Sequence, residues 1–314
     1  MYKILITGVA GFIGSNVASR FLAEGYSVVG VDDLSTGRIE NIPLGVEFIE
    51  GDLAKRSTIN RIPRDCFAIL HLAGQSSGEI SFDDPVADLE KNTISTLNLI
   101  RFGIENQVER IVYASSMSVY GSVEGIPINE SHVCSPISCY GAGKQAAEAY
   151  LYVYQDKLPF VSLRMFNVYG PGQDMSNLRQ GMVSIYIAQA LANGQIEVKG
   201  GIERFRDLIY IDDVIEVWFR AATYTSALGQ VFNVGTGVKT TVASLLDRLC
   251  ELIPGTSYFV TGTTPGDQNG IFADITLIKN SLSLNSFTKL DAGLSKFVEW
   301  SIKNKPFSSN AKSL

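Results

Sequence analysis

The stretch "KILITGVAGFIGSN" (3–16) constrains this chain more than any other. A run of strand character meets three glycines spaced three apart, Gly8, Gly11 and Gly14, and passes into a helical pattern. A strand that becomes a helix over glycines gathers backbone amides at the helix N-terminus, where a pyrophosphate can approach without meeting a Cβ. Such a turn is the phosphate cradle of parallel α/β sheets.

The rest of the first half repeats the rhythm. "YSVVGV" (26–31), "VEFIE" (46–50), "FAILHLA" (67–73), "RIVYAS" (110–115) and "PFVSLRM" (159–165) are short β-branched runs separated by stretches of helical period. They are near-continuously apolar, which predicts a parallel sheet covered on both faces, a doubly wound α/β fold. Residues 1–165 read as the nucleotide-binding domain. Beyond them, "FNVYGPGQDMSN", a helix around 180–193, strands near "IEVKG" and "DLIYI" and the helical "GLSKFVEWSIKN" predict a smaller α/β substrate lobe over 166–314. Segments near 207–235 are expected to return to the first domain. With 46% hydrophobic residues, a chain of 314 residues can bury a core of this size. No repeat or linker separates the lobes, so a cleft between them is expected, and "PFSSNAKSL" reads as a loose tail.

A formal charge of −6 with no dense Lys/Arg run argues against nucleic acid or an anionic membrane as partner, and for a small molecule. Cys66, Cys134, Cys139 and Cys250 form no C-x-x-C pair, and with only His71 and His132 beside them no metal site is expected. The amino terminus meets glycines before an apolar signal core forms, and no apolar run of about 18 residues occurs. A soluble, cytoplasmic protein with reduced thiols is the expectation.

Two carboxylates and one i,i+4 pair carry the chemistry. Asp32 ends the second strand, where it can accept from both adenosine ribose hydroxyls and repel a 2′-phosphate, and no arginine follows until Arg38. NAD is favoured over NADP. Asp52 in "EGDLAKR" is either an adenine contact or a loop cap. In "SCYGAGKQAAEAY" (138–150), Tyr140 and Lys144 are one helical turn apart, a spacing that on most helices is a solvated face. The chemistry suits it nonetheless, because a phenol becomes a base near neutral pH only beside a cation. Upstream, Ser115 and Ser116 end a strand at the carboxyl edge, where a hydroxyl can share a proton with a ligand or cap the next helix.

The ordered segments "TGVAGFIGSN", "VDDLSTG", "GDL", "HLAGQSS", "NTISTLNLI", "SSMSVYG", "YGAGK", "LRMFNVYGPGQ", "RDLIYIDDV", "FNVGTG" and "PGDQNGIFADI" resemble the extended short-chain dehydrogenases/reductases, in particular the nucleotide-sugar epimerases and dehydratases. The resemblance implies a Rossmann domain, NAD as cofactor and a nucleotide sugar, most often a UDP-sugar, as substrate. It implies Ser116, Tyr140 and Lys144 as the catalytic triad. Implied cofactor contacts are Gly8, Gly11, Phe12, Ile13, Gly14, Asp32, Asp33, Ser35, Thr36, Gly37, Asp52, Leu53, Leu72, Ala73, Gly74, Asn92 and Phe166, together with Tyr140 and Lys144. Implied substrate contacts are Ser77, Ser116, Asn167, Arg206 and Asp267.

Family dehydratases carry an acid pair directly after the catalytic Ser/Thr, and decarboxylases a Glu at the second position, whereas this chain has Met117 and Ser118. The reaction that needs no further acid–base group is oxidation at C4, rotation of the 4-keto sugar and return of the hydride to its other face, a 4-epimerization. A nucleotide-sugar oxidoreductase that releases its keto product, or a dehydratase, of surface-polysaccharide biosynthesis, and a catalytically silent NAD-binding protein are the rival readings. Thr264 stands where related 4-epimerases carry an Arg, which leaves diphosphate neutralisation to Arg206, and "SSGEISFDDP" puts Glu79 beside the expected sugar pocket. Ile271 falls where relatives vary a residue that gates N-acetyl groups. The resemblance also implies a homodimer, in which the apolar face of one helix at 86–102 and that of the helix starting near Ser138 pair across a two-fold axis; covering the core is the other reading of the same faces.

Overall fold

Apolar residues fill almost every position of the early strands, and helices bury them from both sides. A computed structural model describes residues 2–123, 126–179, 181–262 and 270–304. The first half runs β1 (Lys3–Thr7), α1 (Phe12–Ala23), β2 (Ser27–Asp32), β3 (Val46–Glu50), α2 (Arg56–Ile59), β4 (Cys66–His71), α3 (Pro85–Leu89), α4 (Ser95–Glu105), β5 (Arg110–Ser116), α5 (Cys139–Val153) and β6 (Phe160–Met165). The second half runs β7 (Asn167–Tyr169), α6 (Met182–Asn193), β8 (Gln195–Lys199), β9 (Phe205–Arg206), β10 (Leu208–Tyr210), α7 (Ile211–Thr223), β11 (Gln230–Val234), β12 (Thr240–Thr241), α8 (Val242–Leu252), β13 (Ser257–Thr261), β14 (Gly270–Ile271), α9 (Thr276–Leu282) and α10 (Leu290–Lys303).

Seven strands form the main sheet in the order β11-β6-β5-β4-β1-β2-β3, every neighbouring pair parallel. The chain winds outward from β1 to β3, then crosses to β4 on the other side of β1. That reversal opens a crevice at the carboxyl ends of β1 and β4, where sheets of this kind bind ligands. One face is covered by α1 and α7, with Phe21, Val217 and Trp218 in the core, and the other by α4 and α5, with Leu99, Phe102 and Leu151. The second half lends α7 and β11 to this unit, and builds its own core around Tyr169, Ile187, Leu245 and Phe297.

The single helix expected over 86–102 is instead α3 and α4 joined by a π turn at Glu90–Ile94. The wider register is helped by hydroxyls: Ser95 donates to the Lys91 carbonyl at 2.5 Å and Thr96 to the Asn92 carbonyl at 2.7 Å. Apolar periodicity cannot register one extra residue in a turn. Val86, Leu89 and Ile94 from this stretch, and Tyr150, Val153 and Tyr154 from α5, stay exposed.

A buried charge network clamps α5 to the sheet. Arg164 on β6 donates to both oxygens of Glu148 at 2.7 and 3.0 Å, and Ser162 donates to the same carboxylate at 2.9 Å. Arg164 also reaches the Tyr120 hydroxyl, which donates to Asn233 on β11. Removing one partner of such a pair typically costs about 3–5 kcal/mol, because the other charge is left buried and unopposed. No helix among the described residues is long and apolar enough to cross a membrane.

Candidate active site

The first turn is shaped by contact as much as by conformation. A Cβ on Gly14 would overlap the Gly8 carbonyl, so the helix can start this close to β1 only with glycine there. Gly11 is the N-cap of α1 and offers no side-chain acceptor, which leaves the first-turn amides to an outside acceptor. Gly8, Gly11, Phe12, Ile13 and Gly14 line a cavity of about 420 Å³. Asp32 lines it from the end of β2, Asp33, Ser35, Thr36 and Gly37 from the loop after it, Asp52 and Leu53 from the loop after β3, and Leu72, Ala73 and Gly74 from the loop after β4. Tyr140 and Lys144 close its end.

Asp32 is buried, and its two oxygens accept the Ala10 and Leu34 amides at 3.0 and 2.9 Å. Burial raises its pKa, against the pull of those two bonds. Each oxygen keeps a lone pair for a ribose hydroxyl. Asp33 is more committed: it accepts from Ser35, and from Lys91 at 2.9 Å. Burial works against its charge, but the Ser35 and Lys91 bonds hold its pKa below the usual value. Asp52 lines the cavity and also accepts the Ala54 amide at 2.8 Å, so the loop cap leaves it at the cavity wall.

Ser138 caps α5 by accepting the Gly141 amide at 3.1 Å, which fixes where the helix begins and sends Tyr140 and Lys144 inward together. Lys144 is only 3% exposed, with its Nζ 5.0 Å from the Tyr113 ring centre and 5.7 Å from that of Tyr140. Burial brings its pKa down to about 8, against the pull of Asp88 and Glu148. The Tyr140 phenol is pushed up to about 12 by burial, against the pull of the Ser116 hydroxyl. The sequence suggested a phenol brought toward neutrality by Lys144; burial, the largest influence on it in this arrangement, acts in the other direction. Ser116 accepts the Ser118 amide at 3.1 Å and its hydroxyl lies 3.2 Å from that of Ser118, so capping and proton sharing fall on one atom. Ser115, the next residue back, is buried, and its hydroxyl has no partner among the described residues.

Several expected contacts sit elsewhere. Phe166 packs with Tyr120, Ile271 and Ala273, and its neighbour Met165 faces the cavity instead, since alternate strand residues point oppositely. Ser77 turns into its own loop, accepting the Ile80 amide and donating its own amide to Gln75, while Ser76 lines the cavity. Asn92 is fully buried behind the lining. Ser116, Asn167 and Arg206 lie outside the cavity wall. Asn167 and Arg206 are brought near each other in the second lobe, where the Asn167 amide donates to the Asp207 carbonyl at 3.1 Å. Asp267 and Thr264 lie outside the described residues. Reasoning from sequence missed Lys91, Gln173, Asp174 and Asn177 among the lining residues. Arg38 donates to Asp174 and Ser176 at 3.2 and 3.0 Å, bracing the loop that carries the last two.

A model of the NAD-dependent epimerase/dehydratase family matches residues 4–235. UDP-glucose 4-epimerase of Mycolicibacterium smegmatis is 37% identical over 252 residues, 77% of this chain and 80% of that protein. The structure of UDP-glucose 4-epimerase from Thermotoga maritima with UDP-glucose superposes with a TM-score of 0.91 at 33% identity, covering 96% of this chain and 99% of the other. That of the Thermus thermophilus UDP-glucose 4-epimerase complex with NAD gives 0.86 at 33% identity, covering 95% and 98%. With Asp32 at the cavity wall and Arg38 engaged elsewhere, NAD is expected to bind about tenfold or more tightly than NADP, since a 2′-phosphate would face a carboxylate. Calorimetry checks this, and equal affinities would contradict it.

Proposed function

The chain belongs to the NAD-dependent epimerase/dehydratase family, and from that membership we propose that it is a 4-epimerase of a UDP-hexose or UDP-N-acetylhexosamine. The cavity fits the cofactor: uncapped amides at the start of α1 suit its pyrophosphate, and Asp32 suits a ribose with a free 2′-hydroxyl. Bound NAD supplies a reversible hydride acceptor for a sugar carbon.

The chain's own residues handle the proton. Tyr140 takes the proton of the C4 hydroxyl as that carbon is oxidised and gives it back when the carbonyl is reduced on its other face. Ser116 shares that proton within the hydrogen-bonded group it forms with Ser118, and the Lys144 cation makes the phenolate reachable from a phenol that burial holds near 12. Atoms are conserved over the cycle, so the outcome is an isomer.

The observation that carries this reading is the pair of side chains directly after Ser116. Met117 packs against the apolar cluster of Val119, Tyr120 and Phe166, and Ser118 is hydrogen-bonded to Ser116. Neither offers the second acid–base group that loss of water or carbon dioxide requires. On the substrate side, Asn167 keeps a buried Oδ1 without a partner among the described residues, and Arg206, drawn down to about 10 by burial and Arg204, remains cationic at neutral pH. Both suit a diphosphate sugar.

Incubation with UDP-, dTDP-, GDP- and CDP-sugars, read by NMR, is expected to show inversion at C4 of a UDP-sugar. Reaction only with another nucleotide, loss of water or carbon dioxide, or accumulation of NADH would overturn the assignment. Tyr140→Phe is expected to lower kcat by about 10²–10⁴-fold, whereas Arg206→Ala raises KM with a smaller change in kcat. The exposed apolar residues of α3, the π turn and α5 are proposed to pair in a homodimer. Sedimentation at micromolar concentration is expected to give a dimer, and a monomer would reject the pairing.

A further inference from the structure

Asp88 is a carboxylate with 2% exposure on α3, in the wall behind the cavity. Its Oδ1 accepts from Gln75 and from Asn92, both at 3.1 Å. Gln75 belongs to the cavity-lining loop after β4, and Asn92 to the π turn. The other side of this group is pressed onto α5 one residue before Lys144. A methyl on Gly143 would lie 3.4 Å from Asp88 Oδ2 and 3.4 Å from Asn92 Cβ, and Thr93 donates to the Gly143 carbonyl at 3.1 Å. The same group reaches Lys144 through Gly74. A methyl there would run into Asn92 Oδ1 with Lys144 Nζ 3.3 Å away, so only a glycine lets the loop, the amide and the ammonium meet. Asn92 Oδ1 has no donor among the described residues.

The other titratable groups facing Lys144 do not offer it a spare negative charge. Glu148, one turn further along α5, is held by Arg164 and Ser162. His71, at the end of β4, is brought down to about 3 by burial and by Lys144 itself, and is neutral. Tyr113 on β5 and Tyr140 on α5 are both raised by burial and uncharged. Asp88, whose hydrogen bonds come from neutral amides, therefore remains among the described residues as the anion that faces Lys144.

We propose that Asp88 is the counter-charge of Lys144 and a positioning residue for the site: it keeps the buried ammonium protonated and, through Asn92 and Gln75, fixes the 74–77 loop against α5. The opposing charge and the burial act in opposite directions on Lys144, and of the two carboxylates that raise it Asp88 acts more strongly than the Arg164-bound Glu148. The proposal rests on Lys144 serving Tyr140, but its test does not.

NMR titration of lysine side chains labelled with carbon-13 at Cε, with Lys144 assigned by its loss in Lys144→Met, reads the charge directly, with and without added NAD. Asp88→Asn is expected to lower the Lys144 titration by about one pH unit, and Asp88→Glu to restore most of it. The alkaline limb of the kcat/KM profile is expected to move by the same amount. A Lys144 titration unchanged in Asp88→Asn would overturn the proposal, as would a uniform fall in kcat at all pH values with Lys144 unmoved. Should the Asn variant fail to fold, Asp88→Ser removes the same charge with less bulk. In the wild-type protein alone, a Lys144 already neutral at pH 7 would overturn it. A shifted Lys144 in a protein inert toward every nucleotide sugar would fault the epimerase reading and leave the counter-charge standing.

Discussion

A cation held out of water governs the architecture around the site. Lys144 is enclosed by the Tyr113 and Tyr140 rings, in a place where an ammonium is costly unless opposed. That cost dictates its neighbours: Glu148 one turn on, itself tied to Arg164, and Asp88 on α3. The helix that carries Lys144 also carries Tyr140 at i−4, so whatever anchors the cation sets the phenol as well. Ser138 fixes the start of this helix and the Glu148–Arg164 pair fixes its middle to β6.

A second buried chain runs from the cradle to the π turn and keeps the two ends of the cavity in register. The Thr7 hydroxyl accepts the Leu72 and Ala73 amides, both at 3.1 Å, and meets His71 Nδ1 at 2.8 Å. His71 Nε2 meets Thr96 at 3.0 Å, and Thr96 donates to the Asn92 carbonyl. The hydrogens fit in one way. With the Thr96 proton committed to Asn92, Nε2 is the donor, and Nδ1 accepts from Thr7. A neutral imidazole is what this chain needs, and burial supplies it. The end of β1, the loop after β4 and the turn bearing Asn92 thus share one set of bonds.

The parts legible in the sequence were those set by local geometry. Glycines at 8, 11 and 14 follow from a helix that starts against the Gly8 carbonyl, Asp32 from its place at a strand end, and Tyr140 with Lys144 from helical spacing. The features that stayed hidden depend on partners far along the chain. Lys91 meets Asp33 across 58 positions, and Arg38 meets Asp174 across 136. The π turn adds a residue that periodicity averages away, and with it the inward aim of Asn92. At positions 166 and 77 it is the preceding residue, Met165 or Ser76, that lines the cavity, at a strand end and in an irregular loop, where one step changes which way a side chain points. Nothing in the sequence singles out Asp88, and only its packing against Gly143 reveals a buried acid.

A single proton shuttle with no second acid–base group after Ser116 makes a definite isotopic demand. Turnover of a UDP-sugar in D2O, followed by NMR, is expected to give a product inverted at C4 that keeps protium at both C4 and C5, because the hydrogen leaving C4 returns without meeting solvent and C5 is never deprotonated. Deuterium at C5, or exchange with solvent at C4, would contradict it.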